Sequence, residues 1–531
     1  MFDFGIGYCY KLYNQIKNLY QIKNIIDIIY IGIYTNQRDD IQIQHFESLK
    51  TKIFSCGSLY IKFLQWYISK LKSNIVNKKY KIPNVVNDDS KNENDTDNDI
   101  DDYIDDDINS KNKLIQFISY FEDIFEQCPY HDIEHTKQIF VNSMNGITLE
   151  NYIDISTFRQ IASGSIGQVY YAKRFSDNLE IAIKVKHPNI EEDLENQKEL
   201  IKFIKIIQYI PFIKKRYNLY FNIDDFLSDI NLQCDFNNEA NNCKQFQDNF
   251  KESKNYIIFP KIIYQSNDLL ISEYIEGELF DNLTDMQKYQ TSLNFICFFY
   301  QMLLVDNFLH GDLHCKNWKV RLNKETNIVQ IIVYDCGICF QNTSLELTNT
   351  FWFALMNYDI DKINKSLRQF ILEMTNNIND KELEKNITIL FNVILKESIG
   401  ASVIFKLIIE FFKLNNIIVH KFLLNLSILV CVIEEFLKST NLVDRDKSST
   451  AKQSSMFELM NESQLDVIAF CDVKKCYPEV RNLFNLHIKD KHNYKNYKIN
   501  IDKHNIKEII NTEKQLFNSL SLTKLKFKPP Q

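Results

Sequence analysis

Glycine and proline are scarce in this chain of 531 residues, at 11 and 8. An all-β design needs many tight turns, so this shortage favours helices. Cysteine is not organised: the 12 present show no disulfide-framework spacing, which fits a reducing, intracellular compartment. Cys336 and Cys339 form a lone C-x-x-C with no second pair at zinc spacing, and it reads as coincidence rather than a metal site. Long apolar runs are also missing. Ile25–Tyr34 is short and interrupted by Asp27, and Phe422–Ile433 falls short of the roughly 20 residues a bilayer span needs. Both read as core helices, with peripheral membrane contact left open. Asp3 and the lack of a small-residue cleavage site argue against a secretory signal. The first arginine is Arg38, which argues against a transit peptide. Strong charge of one sign is absent as well. The net charge is −7, and residues 87–107 hold much of the acid, so the rest makes no case for nucleic-acid binding.

What is present is apolar and aromatic bulk. Hydrophobic residues make up 45% and aromatics 13%, enough for most of the chain to bury a core and for roughly two to three domains. Asn, Ile, Lys, Tyr and Phe are abundant, a pattern that fits nucleotide bias in the gene, so isolated Asn residues receive little weight as turn signals. The reading expects an N-terminal helical segment at 1–44. A helical extension follows at 45–150, broken by an acidic, disordered insertion at 87–112. Asp95, Asp97 and Asp99 mimic a calcium loop, but Ile100 stands where its turn needs Gly. From 155 the pattern becomes strand, tight loop, strand, strand. Helical periodicity follows over 193–210 and again over 221–250, then two short strands before Gly277, then mostly helices. This gives a small β-rich lobe at 155–277 and a larger helical lobe at 278–440. A polar linker and tail occupy 441–531.

Several residues in this order can carry chemistry. "IASGSIGQV" (Ile161, Ala162, Ser163, Gly164, Ser165, Ile166, Gly167, Gln168, Val169) lies between two strands, and its small residues let backbone N–H groups approach phosphate oxygens. A plain β-turn is the competing reading. Lys184 on the next strand can reach phosphates, and Glu239 on a helix can hold that Lys by an ion pair; a surface Lys and a solvated helix face are the bland alternatives. Asp312, in "HGDLHCKNW", is the candidate base or orienting carboxylate, with Asn317 five residues on. Asp335 ends an apolar strand in "IIVYDCG", and Gly337 permits a tight turn there. A carboxylate and an amide oxygen suit Mg²⁺. His310 and His314 sit at i and i+4, but in a segment that reads as loop. His310 is read as a brace for that loop rather than a zinc ligand.

These motifs together resemble the UbiB (ADCK) atypical kinase-like family, linked to ubiquinone and isoprenoid-lipid metabolism, over about residues 45–440. "IASGSIGQVYYA" is similar to that family's Ala- and Ser-rich nucleotide loop, "IAIKVKHPNI" to its Lys strand, and "CDFNNEANNCKQF" to the helix carrying its Glu. "FLHGDLHCKNW" is similar to its catalytic loop, and "YDCG" stands where it has Asp-Phe-Gly. The resemblance implies an α+β, bilobal protein-kinase-like fold with an N-terminal helical extension, and ATP and Mg²⁺ as cofactors. It also implies a Lys-x-Gly-Gln element folded over the cleft, here Lys62 and Gln65 with Leu64 in the Gly position. That Lys faces a Glu-x-Asp segment in the family, here Gln233-Cys234-Asp235, so Asp235 remains to neutralise it. Cys315-Lys316 replaces Pro-Gly, and Cys336 replaces Phe. The function implied is an ATP-dependent kinase or ATPase, with a lipid or quinone-pathway partner. The alternative is a pseudokinase that holds nucleotide as a regulatory ligand.

Overall fold

A computed structural model describes residues 39–56, six positions from 60 to 68, four from 116 to 121, and 128–192. It further describes 195, 223–373 (except 315, 324–327 and 358), 401–414 and 418–439. The readings of 1–38, of the acidic insertion, of most of 191–222 and of 441–531 lie outside these residues.

The chain enters as α1 (Asp39–Cys56), and the described positions from Tyr60 to Ile68 are also helical. Phe46 of α1 packs on Tyr120 and Phe121, with ring centroids 5.4 and 5.9 Å away. Helix α2 (Ile133–Ser143) starts at Asp132, whose side chain accepts from the Glu134 N–H, and a short α3 (Leu149–Tyr152) leads into the sheet.

Five strands make an antiparallel sheet: β1 (Ile153–Ser163), β2 (Gly167–Arg174), β3 (Glu180–Lys186), β5 (Ile262–Gln265) and β6 (Leu269–Glu273), ordered β1-β2-β3-β6-β5. Alternation on β3 sorts its side chains. Ile181, Ile183 and Val185 enter a core with Phe140 of α2 and with Leu269 and Ile271, while Lys184 turns to the other face. That face is covered by α5 (Phe236–Asn249), reached through α4 (Ile223–Gln233).

The helical stretch expected over 221–250 is therefore two helices. The break falls at Cys234-Asp235, because the Asp235 carboxylate accepts from the Asn237 N–H at 2.9 Å and starts a new helix. The two strands expected before Gly277 are three. The additional one, β4 (Ile257–Ile258), leaves this sheet and pairs parallel with β9 (Ile328–Val333) in the second lobe.

The second lobe is built on α6 (Asp285–Tyr300), which continues as one π-helical turn, Gln301–Val305. Around it lie β7 (Leu309–His310), β8 (Trp318–Asn323), β9 (Ile328–Val333), β10 (Cys339–Phe340), α7 (Leu345–Asn357), α8 (Ile360–Leu372), α9 (Ala401–Leu414) and α10 (Lys421–Ser439). One continuous apolar core runs from Phe246 of α5 through Phe298 and Trp352 to Leu437. Among the described residues no helix is long and apolar enough to cross a membrane.

Asparagine takes over work usually left to glycine. The positive-φ residues described are Asn145, Asn178, Asn189, Asn307 and a single glycine, Gly146. The low weight given to isolated Asn is corrected at these four positions. A short amide side chain can hydrogen-bond local backbone and so tolerates the left-handed region.

Candidate nucleotide site

Lys184 is the hub. Its ammonium donates to Glu239 Oε2 at 2.6 Å and meets Asp335 Oδ2 at 3.3 Å, and it lies 5.2 Å from the Phe236 ring centre. Three elements therefore converge: β3, the first turns of α5, and the segment after β9. Burial opposes charge on all three groups. Lys184 still keeps its proton, because the anions of Asp335 and Glu239 outweigh its desolvation. Burial would also raise Asp335, but Lys184, the Gly337 N–H and the charge of Lys62 hold it well below the usual carboxylate range. Glu239 bears the cost. Burial and the neighbouring Asp335 push it up to about 7, against the pull of Lys184.

Backbone pairing brings the second pair of residues to the same place. In the β8–β9 hairpin Trp318 faces Val333, and the pairing extends one step further, with the Tyr334 N–H donating to the Asn317 carbonyl at 3.0 Å. Asn317 and Asp335 thus leave adjacent strand ends. Asn317 Nδ2 donates to the Asp312 carbonyl at 2.7 Å, which leaves its amide oxygen for another partner. Asp335 Oδ1 accepts from the Gly337 N–H at 2.8 Å, closing the tight turn. The donor set offered by Asp335 and Asn317 is oxygen only, and it fits a hard cation such as Mg²⁺.

His310 ties these parts together. It is buried, which lowers its pKa and keeps the ring neutral. Its Nδ1 accepts from the Asp312 N–H at 3.1 Å, so Nε2 carries the hydrogen and donates to the Asp335 carbonyl. One imidazole thereby sets the spacing between the two segments that carry Asp312 and Asp335. His314 Nε2 lies 3.8 Å from Asp312 Oδ2. Cys315 is outside the described residues. Behind Asp335, Asn242 of α5 donates to the Cys336 carbonyl at 2.9 Å. Cys336 is buried against Cys243 of the same helix, and that contact and burial push its thiol up.

The loop between β1 and β2 is a tight hairpin in which the Gly164 N–H donates to the Gly167 carbonyl at 2.9 Å. Its side chains divide. Ser165 Oγ donates to Gln65 Oε1 at 3.3 Å, which places the N-terminal extension on the loop. Ile166 packs with Phe236 and Ala240 of α5. Ile161 is exposed, and buried Gln168 bonds to the His131 N–H and the Tyr170 hydroxyl, so neither side chain joins Lys184. Val169 is the register partner of Lys184. Lys62 reaches the site electrostatically, lowering Glu239 and Asp335, whereas Asp235 serves as the cap of α5. Gln233 Cγ would lie 3.6 Å from a Cβ at Gly337, so the segment before α5 covers the Asp-x-Gly turn.

A five-stranded lobe with a Lys–Glu pair, joined to a helical lobe carrying Asp312, Asn317 and Asp335, defines a bilobal kinase-like α+β fold. Residues 123–367 match a family model described as the ABC1 atypical kinase-like domain. Proteins named UbiB and AarF domain-containing protein kinase are among the relatives that this chain is similar to. A probable serine/threonine-protein kinase abkC of Dictyostelium discoideum is 30% identical over 220 residues, 40% of this chain and 32% of that protein. A probable protein kinase UbiB of Aliivibrio fischeri (strain MJ11) is 28% identical over 202 residues, 36% of this chain and 37% of that protein. The chain thus spans only about a third of the length of these relatives. Among solved structures, the Rv3197–erythromycin complex from Mycobacterium tuberculosis is similar at a TM-score of 0.38 and 17% identity, covering 68% of this chain and 84% of that one.

Proposed function

We propose that this chain binds Mg-ATP and transfers or hydrolyses its γ-phosphate as an atypical kinase or ATPase. The observation that carries the proposal is the Lys184 ammonium between Glu239 and Asp335, at 2.6 and 3.3 Å. Holding a half-buried cation between two carboxylates from different elements costs desolvation, and charge clusters of this kind concentrate at functional sites. In this reading Lys184 holds the α- and β-phosphates and Glu239 aims it. Asp335 and Asn317 hold Mg²⁺, which when bound neutralises charge developing on the phosphoryl oxygens. Asp312, braced through His310, accepts a proton from the acceptor or orients water.

Mg-ATP is expected to raise the melting temperature of purified protein, and no shift would sink the reading. Asp312→Asn is expected to retain that shift while lowering turnover by about a hundredfold or more. Unchanged turnover would favour the second reading, a nucleotide-dependent regulatory module. One contact supports that alternative: Ser165 is already engaged by Gln65 of the extension. The family resemblance supports a role in quinone or isoprenoid-lipid metabolism, with peripheral membrane contact. Failure to sediment with isoprenoid-containing liposomes would remove that partner.

A further inference from the structure

Behind the nucleotide loop lies a group of side chains with no part in the chemistry above. His131, in the segment before α2, and His187, just after β3, meet Nδ1 to Nδ1 at 2.7 Å, with nearly perpendicular rings. Their other partners locate the hydrogens. His187 Nε2 faces the Gly164 carbonyl at 2.9 Å, a group that only accepts, so this nitrogen carries the hydrogen. A neutral His187 then has a bare Nδ1, and His131 Nδ1 donates to it. His131 Nε2 is left as an acceptor for the Thr136 hydroxyl at 2.8 Å. Thr136 receives the Tyr170 hydroxyl hydrogen at 2.7 Å, and Tyr170 accepts from Gln168 Nε2 at 2.6 Å. Every donor from Gln168 through Tyr170, Thr136, His131 and His187 to Gly164 points the same way. Gln168 Oε1 accepts from the His131 N–H at 3.0 Å and closes the circuit. Burial, with neighbouring imidazoles, lowers both rings, His131 to about 4, which agrees with two neutral histidines.

The chain of bonds ends on a loop in which four carbonyls are engaged by donors. Ser163 O accepts from the Cys128 N–H at 3.0 Å, Ile166 O from the His187 N–H at 2.9 Å, and Gly167 O from the Gly164 N–H at 2.9 Å. Gly164 O is held by the His187 ring. A carbonyl facing a phosphate repels it, whereas an N–H attracts it. A carbonyl already engaged by a donor is held against turning toward a phosphate, and the His187 ring holds the Gly164 carbonyl in this way.

We propose that His187 and His131 are positioning residues for the nucleotide loop, clamping it from behind onto the segment that precedes α2. The proposal rests on the nucleotide reading of the loop, but its structural half is testable without nucleotide. Hydrogen exchange of the full chain without ligand, and Mg-ATP affinity, are compared for wild type, His187→Leu and His187→Gln. His187→Leu is expected to speed exchange across 162–168 about tenfold and to weaken Mg-ATP by a similar factor. Peptides from β5 and β6 are expected to exchange as in wild type. His187→Gln, which restores a side-chain N–H, is expected to stay within about threefold of wild type in both measurements. Unchanged loop exchange in His187→Leu would overturn the proposal. So would acceleration spread equally through β5 and β6, or a Gln variant no better than Leu. Wild-type protein that fails to bind Mg-ATP while the exchange pattern holds would sink the nucleotide reading and leave the clamp standing.

Discussion

Glu239 shows how one carboxyl can be fitted to a site at a cost in stability. It is 4% exposed, shares the Lys184 ammonium with Asp335, and is pushed up to about 7. A folded-state value above the ordinary one means the folded protein binds the extra proton. The stabilising contribution is then fully present below about 4.5 and is lost as pH rises through about 7. Glu239→Gln is expected to flatten the fall in melting temperature between those limits, measured without nucleotide. An unchanged slope would show that Glu239 is not the titrating group. Asp335 acts in the opposite sense and in another window. Its depressed value contributes stability above the ordinary carboxylate range that is lost as pH falls into it. The identities of Lys184, Glu239, Asp312, Asn317 and Asp335 are legible in their order along the chain. Their charge states are not, because these depend on burial and on neighbours 55 and 151 residues away.

Helix α5 sets the distance between the sheet and the second lobe. Its start is fixed by the Asp235 cap, and Phe236 lies under the β1–β2 loop. Its far end is anchored where Phe246 packs on Phe259 and Phe308, with centroids 4.9 and 4.7 Å away, and stacks near His310 at 6.1 Å. Gly167 is the tight point. A Cβ there would come within 2.8 Å of the Val185 carbonyl and 2.9 Å of Phe236 Cζ. Gly167→Ala is therefore expected to lower stability by about 1–3 kcal/mol and to weaken Mg-ATP binding, because the clash moves α5 or β3. Denaturant unfolding beside nucleotide titration checks this, and a variant as stable as wild type contradicts it. From sequence, Gly167 reads as one of the loop's two glycines. The close approach of α5, which makes it irreplaceable, is a packing fact.

The second lobe is built on one aromatic core, which the far end of α5 enters. Phe436 of α10 packs edge-on to Trp318, 5.2 Å away, and beside Phe295 at 4.9 Å and Phe280 at 4.7 Å. Trp318 directly follows Asn317, so this cluster supports the Asn317 end of the β8–β9 hairpin from more than a hundred residues downstream. Phe436→Ala is expected to cost about 3 kcal/mol in denaturant unfolding, with a larger loss of Mg-ATP affinity than an equally destabilising change in α8. Equal losses would mean that the cluster stabilises the lobe without positioning the hairpin.

Local chemistry is enough to identify the strand–loop–strand, the Lys strand, the Asp–Asn loop and the Asp-x-Gly turn, because spacing and residue type over a few positions define each. The lobe architecture follows from periodicity for the same reason. Contacts between distant segments lie beyond that reach. The break at Asp235, the departure of β4 to the second sheet and the asparagines at positive φ each depend on partners that a local pattern does not contain. The same holds for the histidine pair behind the loop. His131 and His187 are 56 residues apart, and only the packing of α2 against β2 and β3 brings their nitrogens to 2.7 Å.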